Sequence, residues 1–154
     1  MKIQIFPTKA LLGILVSLGF FASPAAAQVD EAQLNAFVEA LRLAAPPDTP
    51  DDGMYSDWQV LPGTLTGWSE QCLGESVSPE TFEADAELAR SVVSCIAEWQ
   101  LEEQAGAAGN DDAAVRRAAC WWMTGEPTGC DSGFTADYVE SVSGFYREQL
   151  DSPE

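Results

Sequence analysis

Histidine is absent from the 154-residue chain, and lysine occurs only at Lys2 and Lys9. The missing imidazole excludes Ser-His-Asp and Cys-His catalysis and any histidine-ligated metal. Lysine confined to the extreme N-terminus excludes a Schiff-base lysine or a phosphate-binding P-loop from the rest. Positive charge is scarce altogether: 7 Lys+Arg face 25 Asp+Glu, a formal net charge of −18. So acidic a chain repels nucleic acid, which removes that class of partner. No apolar run approaches the ~18 residues of a membrane span. The cysteines Cys72, Cys95, Cys120 and Cys130 stand singly, without the short paired spacing of a zinc site.

What is present begins with a leader pattern. Lys2 and Lys9 precede an apolar run, Ala10–Ala22, and Ala25-Ala26-Ala27 follows as a small-residue cleavage site. This is the layout of a secretory signal peptide over residues 1–27, leaving 28–154 as one domain. The expected location is the periplasm, the extracellular space or an equivalent oxidising lumen, with no membrane contact after cleavage. Once both lysines are removed, five arginines (Arg42, Arg90, Arg116, Arg117, Arg147) oppose 25 acids, a net charge of −20. The acids are scattered rather than blocked, which reads as solubility in high salt; attraction to a basic protein partner is the alternative. An even cysteine count in an exported chain implies two disulfides. Of the three possible pairings, Cys72–Cys95 with Cys120–Cys130 closes the shortest loops.

Apolar spacing makes the domain mainly α. Leu34, Phe37, Val38, Leu41, Ala44 and Ala45 predict a helix over 30–45, stopped by Pro46-Pro47. A loop covers 46–53, and Tyr55–Val60 is extended or irregular. Pro62 opens a short helix through Trp68 to Cys72, with Gly74 just past its end. Ser78 and Pro79 start another helix, whose stripe Leu88, Val92, Cys95, Ile96 and Trp99 places Trp99 in the core. Gly106-Ala107-Ala108-Gly109 is a flexible joint. Asn110-Asp111-Asp112 caps a helix with Val115, Ala118, Ala119, Trp122 and Met123 inward, and Thr135 caps a last helix through Tyr146.

Three motifs in this order resemble the lysozyme-like domain of soluble lytic transglycosylases. They are Gly53-Met54-Tyr55-Ser56-Asp57-Trp58-Gln59-Val60 followed by Pro62, then Trp122-Met123-Thr124-Gly125, then Thr135-Ala136-Asp137-Tyr138-Val139 leading to Val142 and Tyr146. The family carries Gly-Leu-Met-Gln-Ile followed by Pro, Tyr-Asn-Ala-Gly, and Thr-x-x-Tyr-Val-x-x-Val-x-x-x-Tyr. Gln59 falls on the family glutamine, Trp122 on the tyrosine of the second motif, and Thr135, Tyr138, Val139, Val142 and Tyr146 on the third. The resemblance implies a small lysozyme-like helical domain that binds peptidoglycan or a related glycan. Its cleft would be lined by Tyr55, Trp58, Gln59 and Trp122, whose aromatic rings offer an apolar face and a polar edge to sugars.

The chain departs from the family at the catalytic acid. The family glutamate, at the end of the first helix, protonates the glycosidic oxygen and then serves as base for ring closure. The matching stretch here is Leu43-Ala44-Ala45-Pro46-Pro47, and Met123 replaces the motif asparagine. Glu39 is the nearest upstream carboxylate and the sole catalytic candidate on the first helix, although it lies off the apolar face. Asp48, Asp51 and Asp52 occupy the following loop, at a spacing that does not fit a calcium-binding EF-hand. The expectation is glycan binding with weak or no catalysis, without metal or cofactor. An acidic interaction module for a basic partner and an active transglycosylase with a displaced acid are the alternatives.

Overall fold

A computed structural model describes residues 29–152, so the expected signal peptide lies outside the described residues. Six helices follow one another: α1 (Glu31–Ala44), α2 (Pro62–Leu73), α3 (Pro79–Ala84), α4 (Ala86–Ala107), α5 (Asp111–Thr124) and α6 (Gly133–Asp151). No strand occurs among the described residues, only an isolated antiparallel bridge between Tyr55 and Val60. The mainly helical expectation holds, and so does the pairing of Cys72 with Cys95 and Cys120 with Cys130.

Local chemistry sets the helix ends. Asp30 caps α1 by accepting from the Gln33 N–H at 2.7 Å, while the Gln33 amide oxygen accepts from the Asp30 N–H at 3.1 Å. This reciprocal pair satisfies two N–H groups that the helix itself cannot. Gly74 and Gly125 end α2 and α5 in the left-handed region at φ 78° and 81°, where a Cβ is unfavourable. Asn110 caps α5 as expected.

Four expectations are corrected. The segment after Ser78 is two helices rather than one: Asp85, at φ −118° and ψ 93°, ends α3 and caps α4 through its side chain. Gly106 is no joint but part of the last turn of α4. The last helix starts at Gly133 after Ser132, and the Thr135 hydroxyl donates to the Ser132 carbonyl from inside the first turn. Trp99 is 43% exposed. Val92 and Ile96 of the expected stripe are fully buried, and the buried face of α4 also takes in Ala89, Val93, Ala97, Gln100, Leu101 and Gln104. Its polar members are paired: Gln104 Nε2 donates to Gln100 Oε1, and Arg117 Nε donates to Gln104 Oε1 at 2.9 Å. Those bonds let two glutamines occupy the core face and turn Trp99 outward.

The core joins α1, α4, α5 and α6, with α2 and α3 packed on α4. Phe37, Val38 and Leu41 of α1 meet Val92 and Val93 of α4, Val115 and Ala119 of α5, and Val139 and Val142 of α6 in one cluster. Trp58 and Val60 from the segment between α1 and α2, Leu65 of α2 and Phe82 of α3 belong to the same cluster. That segment builds the site.

Candidate functional site

Between α1 and α2 the chain makes a tight turn. Tyr55 N–H donates to the Val60 carbonyl at 3.0 Å and Val60 N–H returns the bond at 2.9 Å. Inside the turn, Ser56 and Gln59 hold φ values of 65° and 53°. Left-handed backbone costs a non-glycine residue roughly 1–2 kcal/mol. The surroundings hold it there. Ser56 N–H donates to a Glu83 carboxylate oxygen from α3. Gln59 N–H and its Nε2 both donate to the Ser56 carbonyl at 2.9 Å. Trp58 Nε1 donates to the Val38 carbonyl at 2.8 Å, fixing the turn to α1. Strain sustained by this many bonds is a feature of functional sites more than of ordinary loops.

The turn forms one wall of a cavity of about 170 Å³. Ala45 and Pro46 enter from the end of α1, Met54, Trp58, Gln59 and Val60 from the turn, and Leu61, Thr64 and Trp68 from α2 and its start. Trp122 and Met123 of α5 and Tyr138 of α6 complete it. The wall is apolar apart from three neutral polar side chains, Gln59, Thr64 and Tyr138, and no Asp, Glu or Arg lines it.

Gln59 is the least satisfied of these groups. Its side chain is buried, its Nε2 is bound to Ser56, and its Oε1 is buried without a hydrogen-bond partner. The amide orientation is fixed by that neighbour, because turning it over would set an oxygen against the Ser56 carbonyl oxygen. An unpaired buried acceptor costs about 1–3 kcal/mol. Burial holds the Tyr138 phenol well above its ordinary pKa, so it remains a neutral O–H.

The structure brings together three of the residues expected at a cleft, Trp58, Gln59 and Trp122. Trp58 is a supporting wall, since its ring is buried and its N–H is bound to Val38. Trp122 is half-buried and packs on Trp68 with ring centroids 4.7 Å apart. Tyr55 is not among the lining residues; its backbone closes the turn through Val60. Trp68, Met54 and Tyr138 join the wall although motif matching did not select them as cleft residues. Trp68 is visible in the sequence only as one tryptophan among several, and Tyr138 as a match to the third motif without a place in the cleft.

Glu39 lies elsewhere. It borders a separate surface hollow with Arg90 and Asn35. Arg42 Nε donates to both of its oxygens at 3.0 and 3.1 Å, and Arg90 approaches to 3.9 Å. The Arg42 hydrogen bond, helped by both positive charges against a smaller opposing effect of burial, lowers the Glu39 pKa. A general acid requires a raised pKa, so this environment is set against that role. The place where the resemblance puts the catalytic glutamate is occupied by Ala45 and Pro46, both on the cavity wall. Among the described residues, no group of three or more Cys, Asp or Glu is placed to hold a metal ion, and none of their helices is long and apolar enough to cross a membrane. No family model matches the chain, and neither a curated protein nor a solved structure matches it.

Proposed function

We propose that the chain is an exported glycan-binding domain that holds a peptidoglycan-type strand at the Gln59–Trp122 cavity without cleaving it. The observation that carries this reading is the buried, unpartnered Gln59 Oε1 in a neutral wall that also holds Trp68 and Trp122. Sugar hydroxyl and acetamido N–H groups supply the donor that this oxygen lacks. The apolar faces of sugar rings suit indole surfaces, and their hydroxyls suit indole edges. The two disulfides are compatible with an oxidising compartment, where such a strand would be met.

Cleavage is a different demand. Delivering a proton to a glycosidic oxygen contributes about 10²–10⁴-fold to rate and needs an acid against the scissile bond. The cavity offers none, and Glu39 is ion-paired on another face. The test is sedimentation with purified peptidoglycan, run beside a muropeptide release assay. The expected result is co-sedimentation that weakens in Gln59→Leu, without release of anhydro-sugar products. Release that disappears in Glu39→Gln would establish an enzyme with a displaced acid. Neither binding nor release would overturn the glycan reading and favour a protein partner.

A further inference from the structure

The cavity is the inner end of a longer aromatic surface. Trp68 of α2 lies against Trp122 and also stacks on Trp121, the latter with centroids 6.3 Å apart and planes 19° from parallel. Trp121 meets Trp99 of α4 edge to face at 5.6 Å. Four indoles from three helices therefore run from the cavity wall out to Trp99, which is 43% exposed. A contiguous run of partly exposed aromatic rings, unlike a single exposed side chain, is the kind of surface that marks an interaction site. Of the five tryptophans, only Trp58 has its indole N–H bonded to protein among the described residues. The indole N–H groups of the other four have no protein partner among the described residues.

The ridge is also rigid. Trp68 and Cys72 are one helical turn apart, as are Cys95 and Trp99, so each pair shares a helix face. The Cys72–Cys95 bridge joins α2 to α4 one turn from both indoles. Trp121 lies next to Cys120, which is tied to Cys130. Elements clamped in this way lose little conformational freedom when a ligand settles on them. The four rings are neutral in a strongly acidic molecule, so the ridge itself supplies no charge to attract a basic protein.

We propose that this ridge is an outer binding subsite, in which Trp121 and Trp99 carry sugar rings of a neutral oligosaccharide that continue outward from the ring held at Gln59. The inference rests on the glycan reading above and extends it from one cavity to a chain of rings. Affinity then depends on oligosaccharide length, and Trp99 governs that dependence without governing the inner ring.

The test is calorimetric titration of the disulfide-bonded protein with β-1,4-linked N-acetylglucosamine dimer and pentamer. Wild-type protein is expected to bind the pentamer about five- to tenfold more tightly than the dimer. Trp99→Ala is expected to remove that gain and leave dimer affinity unchanged, with Trp99→Tyr restoring part of it. Gln59→Leu is expected to weaken both ligands. Exposure of Trp99 makes its replacement tolerable to the fold, which far-UV circular dichroism checks. A wild type that binds dimer and pentamer equally, or a pentamer affinity untouched by Trp99→Ala, overturns the ridge while the cavity reading stands. If neither oligosaccharide binds wild type, the ridge proposal falls, and the peptidoglycan sedimentation assay decides the cavity reading separately.

Discussion

At the scale of single residues, Glu39 and Ala45 have opposite environments. Glu39 is charged and held by Arg42, so its folded-state pKa lies below the unfolded value. Its contribution to stability is therefore present above the unfolded pKa and lost as pH falls through the folded one. Because Arg42 is partly exposed, the pair is worth about 0.5–1 kcal/mol. Glu39→Gln should lower stability by about that amount at neutral pH, and urea melts should show the two proteins converging in acid. A variant as stable as wild type at neutral pH would leave the ion pair without energetic weight. Ala45 has the reverse setting, on a wall with Trp58, Trp122 and Met123 and without an arginine. A carboxyl introduced by Ala45→Glu should be desolvated and its pKa raised. The sign then inverts: the folded state binds the proton more tightly, so stability falls as pH rises from the ordinary glutamate range through the raised value. A ¹³C titration of that carboxyl measures the shift directly. A value at or below that of an exposed glutamate would mean that the cavity is too wet to support general-acid chemistry even with an acid restored.

The helix ends show what a sequence exposes at the scale of elements. Gly74, Pro62 and Asn110 act on backbone within four residues of themselves, so their effect is visible in the order of residues alone. Asp85 acts equally locally and is hidden for another reason. Phe82 before it and Leu88 after it both suit one continuous amphipathic helix, and nothing apolar marks the break. Its carboxylate accepts from the Leu88 N–H at 3.0 Å. Asp85→Ala should therefore cost about 1 kcal/mol, read as a lower thermal midpoint with little change in helix content. An unchanged midpoint would show that α4 starts without its cap. Trp99 was illegible for a tertiary reason. Hydrophobicity alone places tryptophan inside and glutamine outside, and the bonds linking Gln100, Gln104 and Arg117 reverse that order from thirteen residues away. The cavity was half legible. Gln59 and Trp122 follow from motif order, whereas Trp68 and Tyr138 arrive through the packing of α2 and α6. The unpartnered Gln59 oxygen has no sequence signal at all, because it depends on where the Ser56 carbonyl lies.

At the scale of the whole molecule, two long-range effects oppose each other. The disulfides Cys72–Cys95 and Cys120–Cys130 close short loops and together stabilise by roughly 6 kcal/mol in the chain-entropy treatment, a large fraction of a typical domain's stability. Against them stands the excess of acids. Arg42, Arg90, Arg116 and Arg147 pair with Glu39, Asp57, Asp112 and Glu140, and Arg117 is turned to Gln104. The remaining carboxylates repel one another across a small surface. Added salt weakens both the ion pairs and the repulsion, so the sign of its effect reports which is larger. The exposed pairs are worth up to about 1 kcal/mol each and act over one contact. Repulsion acts among all the unpaired acids at separations near the ~10 Å screening length of 0.1 M salt, which contracts to about 3 Å at 1 M. The number of repelling pairs decides the balance, and the thermal midpoint should rise with sodium chloride. Each kcal/mol recovered corresponds to roughly 3–6 °C in a domain of this size. Most of the rise should come at low salt, where screening changes fastest, and an uncharged osmolyte of matched osmolality should not reproduce that early rise. A midpoint that falls would mean that the arginine pairs dominate. One that does not move would mean that the acids are spaced too widely to affect folding, leaving their field outside the molecule as their only physical consequence.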